Sequence, residues 1–231
     1  MAEVIVALDL PGGSDALRLL DRLPDARWVK VGSILMTREG PDLVRVLVDR
    51  GLRVFLDLKW HDIPNTVAES VAAARELGVS LATVHTLGGA QMMEAAATAA
   101  AGGRLGLVGV TVLTSHDPAS YARAVGRTDV DLTREVERQS GEAVRAGLAG
   151  VVCSPREVAA VRRQVGPEAL VVVPGIRGRT DDRGDQVRVA SASAAVAAGA
   201  THLVVGRPIL QAADPVAAFR GLLEEAQCIG S

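Results

Sequence analysis

Four segments of this 231-residue chain repeat one short grammar: a glycine, a run of apolar residues, then a polar residue or another glycine. They are Gly51 to Asp57, Gly78 to His85, Gly147 to Ser154 and Gly199 to Gly206. Glycine readily takes the left-handed conformation that closes a helix. A short apolar run without alternation suits a strand covered on both faces. The repetition therefore predicts a parallel sheet assembled from strand-helix units.

Other apolar runs complete the count. Strands are expected at 4–8, 28–31, 54–58, 82–84, 107–112, 151–153, 170–173 and 203–205. Alanine-, leucine- and arginine-rich segments between them read as helices at 14–23, 42–50, 66–77 and 132–146. The alanine-rich tract 95–103 reads as a helix stopped by Gly102-Gly103, and Asp214-Pro215 is a cap and first-turn pair opening a closing helix. Eight strands with intervening helices predict a (β/α)8 TIM barrel, a single domain over residues 1–231 with no linker. A doubly wound open sheet uses the same alternation, but no Gly-x-Gly-x-x-Gly turn supports it.

Composition narrows the partners. A 48% hydrophobic chain of this length buries a sizeable core without staples. Its 25 basic and 27 acidic residues, net −2, are spread along the sequence, which points away from a nucleic-acid stripe or a membrane-binding face and toward a small molecule. The cysteines Cys153 and Cys228 stand far apart, as expected in a reducing cytosol. The opening residues carry no basic n-region and are interrupted by Asp9, so they read as a first strand rather than a signal peptide. No stretch reaches the roughly 20 apolar residues of a membrane span.

Active sites of barrels gather at the C-terminal ends of the strands, and the polar residues of this chain fall there repeatedly. Asp9, Lys30, Asp57, Lys59, His85, Thr114, Ser115, Arg177 and Arg207 each lie in or just after an expected strand. In the segment Asp57-Leu-Lys-Trp-His-Asp-Ile-Pro-Asn-Thr66, strand periodicity puts Asp57 and Lys59 on one face, with Asp62 beyond on the turn. A lysine between carboxylates stays protonated, which suits an acid and spoils a Schiff-base nucleophile. Each residue also has a plainer structural reading. Lys30 can pack its stem on the sheet, Asp57 and Lys59 can be a mere ion pair, Asp9, Thr114 and Ser115 can cap helices, and His85 reads as a core histidine. Four ions converging on one barrel mouth favour chemistry, because an unpaired buried ion costs several kcal/mol. Gly206-Arg207-Pro208 offers freed backbone amides, a guanidinium fork and a helix start to a dianion. The polar, glycine-punctuated stretch from Pro174 through Arg177 to Gln186 is long enough to fold over a ligand as a lid.

These residues resemble the D-x-K-x-x-D-I-P-x-T signature of the orotidine 5'-monophosphate decarboxylase family, here Asp57, Lys59, Asp62, Ile63, Pro64 and Thr66. Ala7-Leu-Asp9, Lys30-Val-Gly32, Val84-His85, Gly88-Gly89, Leu113-Thr-Ser115, Pro174-Gly-Ile-Arg177, Asp185-Gln186 and Val205-Gly-Arg-Pro208 extend the likeness along nearly the whole chain. The resemblance implies a cofactor-independent decarboxylation of orotidine 5'-monophosphate, the last step of UMP synthesis, in a cytoplasmic homodimer with no metal. It implies that Lys59, Asp57, Lys30 and Asp62 form the catalytic set. Asp9 and Thr66 would hold ribose hydroxyls, Thr114 and Ser115 would face the base, Pro174 would touch the substrate, and Arg177, Gln186, Gly206 and Arg207 would address the phosphate. Asp62, Ile63 and Thr66 would reach the site of a second subunit. Trp60 and Thr86 depart from the residues usual in the family. The alternative within the same barrel group is a metal-dependent keto-sugar-phosphate decarboxylase or hexulose-phosphate synthase, which places a metal-binding glutamate where this chain has Lys30. A barrel that only binds a nucleotide or sugar phosphate is a further alternative, against which both lysines speak.

Overall fold

The computed structural model describes residues 2–176 and 190–227. Eight strands alternate with helices: β1 Glu3–Ala7, α1 Gly13–Asp21, β2 Trp28–Gly32, α2 Ser33–Asp49, β3 Arg53–Trp60, α3 Pro64–Glu76, β4 Leu81–His85, α4 Gly89–Ala100 and β5 Gly106–Val110. The second half continues with α5 Pro118–Ala124, α6 Leu132–Arg145, β6 Gly150–Val152, α7 Val158–Val165, β7 Leu170–Pro174, α8 Ala192–Ala197, β8 His202–Val205, α9 Arg207–Leu210 and α10 Pro215–Gln227. The strands pair in chain order and all in parallel, and β1 closes on β8 through the register Glu3↔His202 to Val6↔Val205, so the sheet is a barrel without edges.

The glycines of the repeating grammar do what the sequence asks of them. Gly51, Gly78, Gly147 and Gly199 have φ of 79, 78, 87 and 109°, each turning the chain from a helix end into the next strand. All eight expected strands are present. Helix α2 begins at Ser33, well ahead of the expected 42–50, because two helical pieces meet at Gly40, whose φ is 65°. Pro41 opens the second piece, where a missing N–H does no harm. The short first piece lacked a visible apolar stripe, yet it carries Glu39, whose Oε1 accepts the Gly13 N–H at 2.8 Å and caps α1 across the mouth.

Two apolar layers follow from strand alternation. Val4, Val6, Val54 and Leu56 point outward into the layer beneath the helices. Ile5, Ala7, Trp28, Phe55, Leu81, Val108, Val172 and Val204 fill the barrel itself. Trp28 plugs the lower end, edge-to-face with His202 at 5.2 Å and covered by the Arg53 guanidinium. Among the described residues no helix is long and apolar enough to cross a membrane.

Candidate active site

On β1 to β4 the inward positions that are apolar at the bottom of the barrel become polar two residues further up. Ala7 is followed by Asp9, Trp28 by Lys30, Phe55 by Asp57, and Leu81 by Thr83 and His85. The register aligns Lys30 with Phe55 and Gly32 with Asp57, so the ionisable groups of β2 and β3 rise together at the mouth. They open into a cavity of about 630 Å³ lined by Asp9, Lys30, Asp57, Lys59, Thr114, Pro174, Gly206 and Arg207, all expected from the sequence.

Charge alternates through the cluster. Lys30 Nζ lies 2.9 Å from Asp9 Oδ1 and 3.8 Å from Asp57 Oδ2. Lys59 Nζ takes the other oxygen of Asp57, Oδ1, at 2.9 Å. The side chain of Lys30 is only 10% exposed, whereas that of Lys59 is 41% exposed. Lys30 is thus a buried tie between two carboxylates, and Lys59 is the ammonium a ligand can reach. Gly32 makes room for this tie, since a Cβ there would stand 3.0 Å from Lys30 Nζ.

Lys59 is positioned by an unusual backbone. Among the described residues it is the only non-glycine with positive φ, 54°, a conformation that costs about 1–2 kcal/mol for an L-residue. The pairing of β3 with β4 slips between Leu56 and Trp60, forming a bulge around it. Thr83, in the middle of β4, bridges the irregularity: its Oγ1 accepts the Lys59 N–H at 2.8 Å and donates to Asp57 Oδ1 at 3.1 Å. Sequence reasoning missed Thr83. Its signal was a lone hydroxyl at an inward position of an otherwise apolar strand, two residues before His85.

The rest of the cavity is divided by chemistry. Val110, Val112, Leu113, Val152 and Cys153, from the ends of β5 and β6, form an apolar wall. Gly206 and Arg207 follow β8, three strands from Lys59 in barrel order. Gly175, Leu210 and Gln211 also line the space and were not anticipated. His85, at the end of β4, stacks on His61 with centroids 5.4 Å apart, and its Nδ1 accepts the Leu87 N–H. Burial, with His61 and Lys59 nearby, lowers its pKa to about 4, so it is a neutral histidine, half-buried where the sequence reading expects it in the core.

Asp62, Ile63, Thr66 and Ser115 are exposed and take no part in the wall of this chain's own cavity. Asp62 Oδ1 accepts the Ile63 N–H at 2.7 Å, and Thr66 lies in the first turn of α3. Arg177 and Gln186 lie outside the described residues.

Comparison with known proteins agrees along the chain. The family model described as orotidine 5'-phosphate decarboxylase / HUMPS matches residues 2–222. A protein of Halorhodospira halophila named orotidine 5'-phosphate decarboxylase is 49% identical over 230 residues, 98% of this chain and 97% of that one. Its namesake from Moorella thermoacetica is 46% identical over 239 residues, 98% of this chain and 93% of that one. Among solved structures, the orotidine 5'-phosphate decarboxylase of Lactobacillus acidophilus superposes with a TM-score of 0.86 at 36% identity, covering 98% of this chain and 100% of that chain.

Proposed function

From the premise that the chain belongs to the orotidine 5'-phosphate decarboxylase / HUMPS family, and so decarboxylates orotidine 5'-monophosphate in UMP synthesis, we propose that Lys59 supplies the proton that replaces the lost carboxylate. The C6–carboxylate bond breaks heterolytically, CO2 departs, and the electron pair stays on C6. The Lys59 ammonium stabilises that pair and then protonates it, leaving a neutral amine that solvent recharges. Asp57, hydrogen-bonded to Lys59 Nζ at 2.9 Å, aims the ammonium and stands beside the departing carboxylate.

The single observation that carries this reading is Lys30, whose Nζ sits between Asp9 and Asp57. These carboxylates already have an ammonium partner at the place where the metal-dependent relatives need a cation. The arrangement supports the decarboxylation of a nucleotide over the metal-assisted chemistry of a keto-sugar phosphate.

The remaining roles follow the division of the cavity. Asp9 and Lys30 address ribose hydroxyls, the apolar wall with Thr114 and Pro174 receives the base, and Gly206 and Arg207 receive the phosphate, with Arg177 and Gln186 expected to join them. We place the enzyme in the cytosol with its nucleotide substrate. A second copy of the chain completes each site through Asp62, Ile63 and Thr66. Ile34, Ile63 and Leu87 support this assembly: they are 52, 66 and 44% exposed and follow β2, β3 and β4 on one side of the mouth.

The deciding experiment follows the absorbance of orotidine 5'-monophosphate with purified protein in excess EDTA, beside Lys59→Ala. Conversion to uridine 5'-monophosphate by the parent and near silence from the variant is the expected result. No conversion by a folded parent until magnesium and a keto-sugar phosphate are supplied would reverse the assignment.

A further inference from the structure

Thr83 lies 1% exposed, one strand away from the reacting groups, and is joined to both of them. The bonds form a closed circuit that leaves Lys59 by its backbone and returns to it by its side chain. The Lys59 N–H donates to Thr83 Oγ1, the Thr83 hydroxyl donates to Asp57 Oδ1, and Lys59 Nζ donates to that same oxygen. A threonine hydroxyl has one proton and two lone pairs, so donating to the carboxylate while accepting from the amide fixes its rotation.

The circuit stands where the ladder is broken. Between Leu56 and Trp60 the strands are out of register, and the Lys59 backbone is left-handed. The side-chain hydroxyl of β4 therefore supplies the acceptor for an amide that the bulge takes out of regular pairing. Without it, Lys59 N–H would lose that acceptor, and the left-handed residue would lose the bond that holds it in place.

We infer that Thr83 is a positioning residue for decarboxylation: it locks the left-handed Lys59 and orients Asp57, so that the ammonium points into the cavity. The inference rests on the reading of Lys59 as proton donor. Valine has the shape of threonine without the hydroxyl, and serine keeps the hydroxyl without the methyl, so the two substitutions separate hydrogen bonding from packing.

The test measures kcat and KM for orotidine 5'-monophosphate, and Kd for uridine 5'-monophosphate, in the parent, Thr83→Val, Thr83→Ser and Lys59→Ala. Thr83→Val is expected to lose about 10²-fold in kcat, the order reached when reacting groups are misplaced by about 1 Å, with Kd for the product unchanged. Thr83→Ser is expected to recover most of that loss. Parent-like kcat in Thr83→Val, equal impairment in the valine and serine variants, or a fall in product affinity matching the fall in kcat would each overturn the inference. If Thr83→Val does not fold, Thr83→Cys, with its weak hydrogen-bonding group, replaces it against the serine variant. A Lys59→Ala variant that still turns over would instead refute the donor assignment, a failure distinct from that of Thr83.

Discussion

Lys59 and Asp57, two residues apart on β3, meet head to head at 2.9 Å even though the backbone between strand and turn is left-handed at Lys59. The contact keeps an accessible ammonium beside a carboxylate that is mostly covered, 14% exposed.

Lys59→Ala should abolish turnover while leaving product binding largely intact. Removing the proposed proton donor together with its electrostatic contribution is expected to cost at least about 10³-fold in kcat. Steady-state kinetics alongside calorimetric titration with uridine 5'-monophosphate would show the split. A fall in affinity as large as the fall in rate would speak against it.

Arg207 stands across the cavity from the chemistry, so its loss tests whether remote binding drives rate. Arg207→Ala is expected to reduce kcat/KM by about 2–4 kcal/mol, the worth of one or two charge-assisted hydrogen bonds. Kinetics equal to the parent would remove Arg207 from the phosphate site.

Ile63→Asp puts a charge where the second copy is expected to dock, next to the exposed turn bearing Asp62. Sedimentation should show the variant as a monomer, and activity should fall with it. A variant that stays dimeric and fully active would disprove shared sites.

His202 gives the fold an acid limit. Burial, and then the Arg53 charge, lower its pKa from 6.5 to about 4, so the unfolded chain binds a proton that the folded chain refuses. Stability therefore rises with pH across this window. The contribution is complete above about pH 6.5 and lost progressively toward pH 4, on the order of 3 kcal/mol from this residue, with His85 acting in the same direction. Urea unfolding at pH 7 and pH 4.5 measures it, and His202→Gln should show a shallower dependence.

Gln139 saturates a buried network. Its Oε1 lies 2.9 Å from Thr86 Oγ1, and its Nε2 donates to Tyr121 Oη at 2.8 Å and Glu135 Oε1 at 2.9 Å. The Arg138 hydrogen bond, joined by those of Gln139 and Tyr121, holds the Glu135 carboxyl down at about 2. Gln139→Leu would strip a bond from all three partners and should destabilise the protein by about 2–4 kcal/mol in urea titration. Loss of less than about 1 kcal/mol, the worth of one ordinary hydrogen bond, would show that the network relaxes.

The fold was legible because its punctuation is chemical. Gly51, Gly78, Gly147 and Gly199 mark helix ends in the sequence, and all four are left-handed in the structure. The first piece of α2 was not legible, since a helix interrupted by Gly40 and Pro41 reads as two weak signals. Strand alternation correctly paired Asp57 with Lys59, but it carried no sign that the ladder slips there or that Thr83 spans the slip. A hydrogen bond between residues 24 apart in sequence depends on the register of two strands, which a local pattern does not encode. Asp62 was expected beside the catalytic charges, yet in the single chain it is exposed, as are Ile63 and Thr66, which with it were expected to reach a second subunit.

The bulge on β3 also bears on anyone who would build this chemistry elsewhere. Grafting an aspartate and a lysine onto a regular strand of another barrel would set their Cα atoms about 6.6 Å apart with parallel side chains and a lysine amide committed to the ladder. What is portable is larger than a pair of residues: a slipped strand end, a left-handed lysine and a hydroxyl lent by the neighbouring strand. A graft that omits the neighbour would copy the functional groups and lose the aim.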